Sequence, residues 1–252
     1  MKKMVMGALT GAVALLAGSA FAADMPVKAP LLKAPAPVYN WTGCYINAGA
    51  GYGMWNQDNQ LEDPFPTVAG STVTTGGRGW FGTAGGGCDY QVSSSIVIGV
   101  LGDWDFGDIK GQFSPPDFQD VGTESEKWAW SVGGRIGWLV TPTFLTYVSA
   151  GYTQAHFDQV NFVNMFTGAP SEFFMPSQNY SGFFIGSGFD YAITALPLPP
   201  GFFLRTEYRY STYEAKDVQF LFLDGDPLGE GVNSKKFVQT VRTSLVWRFN
   251  WH

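Results

Sequence analysis

The chain has 252 residues, of which 14% are charged and 16% are aromatic, with 32 glycines and a formal net charge of −6. This composition is too apolar for a disordered chain and unusually rich in glycine for a compact soluble enzyme. The negative charge argues against a nucleic acid as partner. The length allows one large all-β domain or two small domains.

The first residues have the pattern of an export signal. The chain begins MKKMVMGALTGAVALL, a short basic start followed by an apolar run, and small residues flank Phe21 at 20–22. A signal peptidase needs small residues at such alternate positions, so we predict a signal peptide at 1–22 that is cleaved after Ala22. A membrane anchor is the alternative, but the apolar run is short for it.

Residues 23–40 are predicted to form a Pro-rich periplasmic linker, because ADMPVKAPLLKAPAPVYN favours an extended chain with little fold of its own. Beyond residue 22 the sequence has no apolar run of helix-spanning length. If the protein enters a membrane, it must therefore do so with strands.

From residue 41 onward, eight segments alternate between apolar residues and small or polar residues, which indicates strands with two unlike faces. These segments lie at 41–55, 79–92, 96–106, 127–140, 144–156, 179–191, around 203–210, and at 237–251. The connections after the first, third, fifth and seventh segments are long, and the others are short. This sorting of loops is typical of an outer-membrane barrel.

The apolar face carries aromatic residues towards both ends of the segments. The aromatics near the long connections are Tyr52, Trp80, Trp104, Trp128 and Tyr152, and those near the short ones are Tyr90, Trp138, Phe144, Tyr191, Trp247 and Trp251. Two such girdles around Val, Ile, Leu and Ala are typical of a lipid-facing band. A soluble lipocalin-like barrel is the alternative, but its outer face would carry many Lys and Glu side chains. We predict an all-β fold, an eight-stranded antiparallel transmembrane β-barrel at 41–252.

The charged residues of the alternating segments then face the lumen, where they need partners. By parity these residues are Asp89, Asp103, Asp105, Asp190, Glu207, Arg135, Arg205, Arg209, Arg242 and Arg248. Five acids and five bases predict an internal salt-bridge network that plugs the narrow lumen of an eight-stranded barrel. The alternative is a wet, ion-selective pore lining.

The motifs WTGCYINAGAGYG, IVIGVLGDWDF, SVGGRIGWLVTPTFLTYVSAGYT, SGFFIGSGFDYA, LRTEYRYS and VRTSLVWRFNW resemble the small eight-stranded outer-membrane β-barrel proteins of alphaproteobacteria, relatives of the OmpA-type barrel. The resemblance implies an integral outer-membrane protein with a structural or surface role and no catalytic residues, some members being porin-like or ligand-binding. This chain departs from the family at Leu101, where a lumen Glu is usual, and at His252, which follows the usual terminal aromatic residue.

Cys44 and Cys88 are the two cysteines of the chain. If the first hairpin pairs residues whose numbers sum to about 132, Tyr52 lies opposite Trp80 and Cys44 lies opposite Cys88. An oxidising periplasm permits a disulfide between them, which we predict. Two buried thiols are the alternative.

His156 and the terminal His252 are the two histidines. Some eight-stranded barrels are lipid-modifying enzymes, but catalysis needs a nucleophile, a base and an orienting group within mutual reach, and the sequence around His156 does not suggest such a set. We predict that the protein is not an enzyme, with no catalytic residue, no cofactor and no metal site.

The third long connection, 157–178, contains the apolar stretch FVNMFTGAPSEFFMP. It is expected either to extend the strands above the membrane or to form a patch for a surface ligand. We predict a cell outer-membrane barrel with its linker in the periplasm, in contact with lipid and lipopolysaccharide, whose role is membrane integrity and surface exposure. A small porin or a surface ligand-binding protein is the alternative.

Overall fold

A computed structural model describes residues 40–194 and 199–249 of the protein. The predicted signal peptide, linker residues 23–39 and Trp251 lie outside the described residues. Eleven strands occur in this part of the chain: β1 (Gly43–Glu62), β2 (Val68–Gln91), β3 (Ile96–Phe113), β4 (Asp120–Thr141), β5 (Phe144–Phe157), β6 (Val160–Asn164), β7 (Pro170–Met175), β8 (Gln178–Ala192), β9 (Phe202–Tyr213), β10 (Lys216–Phe222) and β11 (Pro227–Phe249). No helix among the described residues is long and apolar enough to cross a membrane.

Eight of the strands close into an antiparallel ring, which confirms the predicted barrel. The order around this lower ring is β1-β2-β3-β4-β5-β8-β9-β11, and β11 pairs with β1 from Cys44↔Phe249 to Glu62↔Gly231. Closure leaves no unpaired edge in the ring, as a barrel that spans a membrane requires. We call the end with the short connections, such as that from Gln91 to Ile96, the turn end, and the other end the hairpin end.

At the hairpin end, three short strands replace three long ones. Above the ends of β5, β8 and β9, β6 pairs with β4, β7 pairs with β6, and β10 joins β7 to β11. An upper ring of eight strands thus stands on the lower one. The predicted long connections are therefore wrong as loops, because most of their residues are strand; between β1 and β2 the connection is reduced to 63–67. The stretch 157–178 extends the wall as β6 and β7.

The strands were predicted too short because their polarity inverts along their length. In the lower ring the outward residues of β1 are apolar, for example Ile46, which is exposed. Nearer the hairpin end the inward residues Trp55 and Leu61 are buried, while Asn56 and Asp58 face outward. The upper ring therefore has an apolar interior and a polar exterior, as expected for a barrel surrounded by water.

Three buried apolar clusters fill the interior at successive heights. The lower apolar layer, at the turn end, consists of Trp41, Tyr45, Val97, Leu145, Phe203 and Val246. The middle apolar layer consists of Trp55, Phe81, Ile109, Ala129, Ala155, Phe157, Tyr180, Tyr213 and Val238. The upper apolar layer consists of Phe113, Val160, Phe162, Met175, Val218, Phe220 and Val232. The charged residues predicted in the lumen lie below the middle layer, and those nearest the turn end lie among the lower layer, as Arg248 does beside Trp41 and Tyr45.

The outer wall of the lower ring is apolar and carries both aromatic girdles. Trp80 is 73% exposed in the girdle on the side of the hairpin end, which we call the outer girdle, and Trp138 is 58% exposed in the girdle near the turn end. Between them, outward residues such as Val100 and Val132 are exposed as well. We take the residues between the two girdles as the membrane-spanning segments.

Candidate functional site

The ten charged residues expected in the lumen lie there in two tiers. Each of the five arginines and Asp89, Asp190 and Glu207 is buried, and Asp103 and Asp105 are nearly so. The lower tier consists of Arg135, Arg205, Arg248, Asp89 and Asp190, and the upper tier of Arg209, Arg242, Asp103, Asp105 and Glu207. The lower tier holds three bases and two acids, and the upper tier two bases and three acids.

Asp190 on β8 is the centre of the lower tier, because three arginines reach its carboxylate. Arg205 donates from Nε and Nη2 at 2.7 and 2.9 Å, a bidentate pair. Arg135 donates from Nη1 at 3.3 Å and Arg248 from Nη2 at 3.0 Å. Asp89 closes the tier, since Arg135 also pairs with it and Arg248 Nη1 lies 2.7 Å from its Oδ2.

In the upper tier two arginines link three acids. Arg209 Nη2 lies 2.8 Å from Asp103 Oδ2, and its Nε donates to Glu207 Oε1 at 2.7 Å. Arg242 Nη2 lies 2.9 Å from Asp105 Oδ2. The acids of β3 are thus paired with bases of β9 and β11 across the lumen, so the tier ties opposite sides of the barrel together.

Glycine neighbours leave room for the charged side chains of the tiers, and aromatic neighbours pack against them. A Cβ on Gly99 would lie 2.0 Å from Asp89 Oδ1, so this position needs glycine to admit the carboxylate. Tyr147 connects the tiers, because its hydroxyl donates to Glu207 at 2.7 Å while the guanidinium carbon of Arg135 lies 4.8 Å from its ring centroid. Leu101, where the resembled family carries an acid, is buried.

A second buried charged site lies above the outer girdle and was missed from the sequence. Lys236 on β11 is fully buried, its Nζ lies 2.6 Å from Glu124 Oε1, and Gln57 Oε1 also accepts from it. Its ammonium lies over three rings, at 4.2 Å from the centroid of Phe157, 4.8 Å from Tyr180 and 5.5 Å from Trp55. Such contacts favour a desolvated cation.

Glu126 on β4 lies close to this site, and both groups are outside the membrane-spanning segments. Burial lowers the pKa of the Lys236 ammonium, and Glu124 opposes that shift. Burial raises the pKa of the Glu126 carboxyl to about 8, and the charge of Asp105 adds to the shift. The Glu126 side chain is therefore neutral over the acidic half of the pH scale.

The alternation of odd and even positions could have predicted the inward position of Lys236, but not that of Glu126. Lys236 shares its parity with the inward residues Val238 and Arg242, so extending the alternation of β11 by a few residues places it inside. On β4 the pairing register shifts between Glu126 and Trp128, which moves Glu126 to the inner face although its parity is that of the outward residues. A bulge of this kind is invisible to a period of two.

The first hairpin has the predicted register, with Tyr52 opposite Trp80. Cys44 and Cys88 lie opposite each other with their Cα atoms 3.9 Å apart, and a disulfide joins them. Because both residues are on the outward face near the turn end, the bridge ties β1 to β2 outside the lumen.

His156 lies on the outer surface rather than in the lumen. Its ring stacks on Trp128 with centroids 5.1 Å apart, and its Nδ1 lies 2.6 Å from Asn179 Oδ1. Trp128 stacks in turn on Trp104 at 5.2 Å, so His156 continues the outer aromatic girdle. Over residues 40–194 and 199–249, no group of three or more His, Cys, Asp or Glu side chains is arranged to hold a metal ion.

A closed antiparallel ring with an apolar outer wall and a charged interior defines an integral outer-membrane β-barrel. Residues 10–249 match the family described as the outer membrane protein β-barrel domain, and the chain belongs to that family. The family predicted from the motifs is thereby confirmed, and so is the outer membrane as location.

Two relatives and one solved structure are similar to this chain. The chain is 27% identical over 264 residues to the 31 kDa outer-membrane immunogenic proteins of Brucella melitensis and Brucella suis, with 99% of this chain and 100% of each relative covered. The outer membrane protein OprG of Pseudomonas aeruginosa is similar in structure with a TM-score of 0.48 and 12% identity, covering 84% of this chain and 98% of that one.

Proposed function

We propose that this outer-membrane barrel is a closed structural element and not a porin. The observation that carries the proposal is the filling of the interior. The lower apolar layer with the two tiers of charges comes first from the turn end, and the middle apolar layer, the Lys236 site and the upper apolar layer follow. A conducting pore needs a continuous hydrated path, and dry apolar layers oppose ion entry.

Planar-bilayer conductance tests this proposal. The purified, refolded barrel is expected to leave the bilayer silent, whereas a general porin in the same bilayer gives steady openings. Single-channel steps from the wild-type protein that change in size or ion preference in an Arg135→Gln variant would establish the porin instead, because such steps could only pass the tiers.

We further propose that the hairpin end faces the exterior, and that the turn end and the linker predicted at 23–40 lie in the periplasm, where the Cys44–Cys88 bridge forms. This orientation is the usual one for barrels with short turns at one end. Intact-mass measurement with and without reductant tests the bridge: a gain of two hydrogens on reduction is expected. Two alkylatable thiols in the unreduced protein would contradict it.

A second function, binding of a surface ligand through 157–178, is supported by the tip of the β6–β7 hairpin. Phe166 is 77% exposed there, and Leu223 on the neighbouring β10–β11 turn is 69% exposed. The backbone N–H of Leu223 donates to the Glu172 carbonyl at 3.1 Å, so the two tips adjoin. Exposed apolar side chains at adjoining tips favour contact with an apolar surface.

Adhesion of cells displaying the barrel tests this second function. A Phe166→Ser, Leu223→Ser variant is expected to adhere less to a hydrophobic surface than the wild type at equal display. Thr167→Ala, at the same tip, serves as the matched control. Equal adhesion of all three would remove support for an apolar ligand surface.

We also propose that the protein has no catalytic activity. The proposal rests on His156. In the described part of the chain its ring contacts Trp128 and Asn179 on the outer wall, and these contacts include neither a serine nor a carboxylate. Incubation of the purified barrel with lipid A should leave its acyl chains unchanged, with a His156→Ala variant as control; deacylation lost in that variant would establish an enzyme.

A further inference from the structure

Two carboxylates, those of Glu62 and Asp217, face each other on the outer surface of the upper ring, and we call them the carboxylate pair. Glu62 ends β1 and lies opposite Gly231, while Asp217 on β10 lies opposite Asn233. Both of these partners belong to β11, which runs between β1 and β10, so the pair spans three neighbouring strands. Since Gly231 has no side chain, the Glu62 carboxyl reaches across β11 to within hydrogen-bonding distance of the Asp217 carboxyl.

Glu62 is buried although it lies on the outer face of the wall. Only 1% of the residue is exposed, because the turn at 63–67 folds back over β11. The Phe65 N–H donates to the Gly229 carbonyl at 2.9 Å, and a Cβ on Gly231 would lie 2.6 Å from Phe65 Cδ2. The phenyl ring thus lies over Gly231, beside the Glu62 side chain, and excludes water from that side of the carboxylate.

No base compensates the carboxylate pair within the described residues. There, no Lys or Arg nitrogen lies within 4.0 Å of either carboxylate, and the buried Glu62 Oε2 has no hydrogen-bond partner. Asp217 accepts a hydrogen bond from the side-chain amide of Asn233. A buried carboxylate that faces a second one is unfavourable unless a cation or a shared proton relieves the contact.

The two lysines nearest to the pair point elsewhere. Lys216 precedes Asp217 on β10, but its Nζ lies 3.5 Å from the carbonyl oxygen of Asn179. Lys235 Nζ lies 5.4 Å from the ring centroid of Phe237, further towards the outer girdle. The positive charge that the pair requires must therefore come from outside the described part of the chain.

We propose that the carboxylate pair binds a calcium ion, which ties the end of β1 to β10. Two carboxylates, the amide oxygen of Asn233 and water are ligands of the kind that calcium prefers, and its variable coordination geometry suits a site that is open on one side. Asp217 is exposed, so an ion can enter from solvent. Two further acids, Asp63 and Glu230, adjoin the pair in sequence and register and add negative charge at the same rim.

The sequence did not suggest this site, because its residues are far apart in the chain and meet only through the pairing of β10 with β11. It also differs from a metal site made of His, Cys and acids alone, since it has two carboxylates and an amide stands beside them. Such a set predicts weak binding, with a Kd of about 1 mM, as in extracellular calcium-binding modules.

Hydrogen–deuterium exchange of the folded barrel, followed by mass spectrometry of peptides that contain 63–67, tests the proposal. Exchange is compared in about 10 mM CaCl2 and in EGTA. The Phe65 and Thr67 amides are hydrogen-bonded in the closed turn, to Gly229 and Pro64. Because the ion binds only this closed form, exchange should slow about tenfold at about ten times the expected Kd.

Two variants locate the ion. Glu62→Gln and Asp217→Asn are each expected to abolish the slowing by calcium. In EGTA, Glu62→Gln should exchange more slowly than the wild type, because a neutral amide removes the repulsion, and a variant that fails to fold would exchange faster instead. Asp226→Asn, at an exposed acid of the β10–β11 turn, is the matched control and should respond to calcium like the wild type. Heat-dependent gel mobility verifies that every variant is folded.

Three results would overturn the proposal. Equal exchange of the wild type in CaCl2 and in EGTA would leave a shared proton as the group that relieves the pair. Equal slowing by MgCl2 at the same concentration would indicate general screening of the rim charges. Undiminished slowing in both variants would place the ion elsewhere. None of these results bears on bilayer conductance, so failure here is distinguishable from failure of the closed-barrel proposal.

Discussion

At the scale of single residues, the barrel depends on charges that have no access to bulk water. A buried ion pair gives little net stability by comparison with an apolar pair, but removing one partner leaves the other charge uncompensated. In the lower tier a single carboxylate compensates three buried bases, because Arg135, Arg205 and Arg248 all pair with Asp190. Its substitution should therefore cost more than that of any one arginine.

Asp190→Asn is expected to lower the free energy of unfolding by about 3–5 kcal/mol, because three guanidinium groups lose their shared anion. Urea unfolding in lipid vesicles, followed by tryptophan fluorescence, measures the change. Asp58→Asn, at an exposed carboxylate on the outer face of β1, should change the free energy by less than about 0.5 kcal/mol. A loss for Asp190→Asn as small as that of the control would mean that the network does not stabilise the barrel.

Glu126 makes stability depend on pH in the opposite sense to a paired carboxylate. Its pKa in the folded protein is about 8, against an ordinary value of 4.5. The unfolded chain therefore releases this proton first, and the contribution of Glu126 to stability is full below pH 4.5 and lost as pH rises to 8. The slope over this range is at most about 1.4 kcal/mol per pH unit.

A Glu126→Gln variant, which mimics the neutral carboxyl, is expected to match the wild type at pH 4.5 and to unfold at a higher temperature at pH 9. The midpoint of the heat-dependent gel shift at several pH values measures this difference. Glu172→Gln, at an exposed position of β7, is the control and should follow the wild type throughout. A wild-type midpoint that does not fall relative to Glu126→Gln between pH 4.5 and 8 would contradict the prediction.

At the scale of strands, the sequence predicted those features that follow from the alternation of apolar and polar residues with a period of two. An alternation with apolar residues outward predicts the lower ring and which face of its strands points to lipid. It also predicts the register of Tyr52 with Trp80. The upper ring could not be found by the same criterion, because its apolar residues point inward. Its closure also depends on pairings between segments far apart in the chain, β4 with β6 and β7 with β10. The bulge at Lys127 hid Glu126 for a related reason, since one extra residue exchanges the faces.

Phe220→Ala tests whether the upper ring is stabilised by its own core. Phe220 on β10 is fully buried and its ring lies 5.8 Å from Phe162 and 5.7 Å from Phe173. Loss of a buried phenyl group costs about 3–5 kcal/mol, here confined to the upper ring. We expect faster proteolytic cleavage within 157–178 while the heat-dependent gel shift of the barrel is kept.

Phe166→Ala is the control for this experiment, because Phe166 is exposed and its loss should leave cleavage unchanged. If Phe220→Ala abolished the folded gel band altogether, the two rings would unfold as one cooperative unit. If cleavage stayed at the wild-type rate, the upper apolar layer would contribute little to the order of the hairpin end.

At the scale of the whole molecule, several layers of side chains each block the lumen. A conducting path would have to pass the lower apolar layer, both tiers, the middle layer and the upper layer in series, and the narrowest of these limits the current. The tiers also balance each other, since the surplus base of the lower tier faces the surplus acid of the upper tier. Removing a single lumen charge therefore changes the local field without opening a path.

Arg209→Met, which keeps the bulk of the side chain but removes its charge, is expected to leave planar bilayers as silent as the wild type. Arg209 pairs with Asp103 and Glu207 in the upper tier, so its loss disrupts the network at its middle. The lower layer with Trp41 and the middle layer with Trp55 remain in place and keep ions out. Steady openings from the folded variant would show that the salt bridges alone close the lumen, because the apolar layers would then have failed to block a path that runs through all of them.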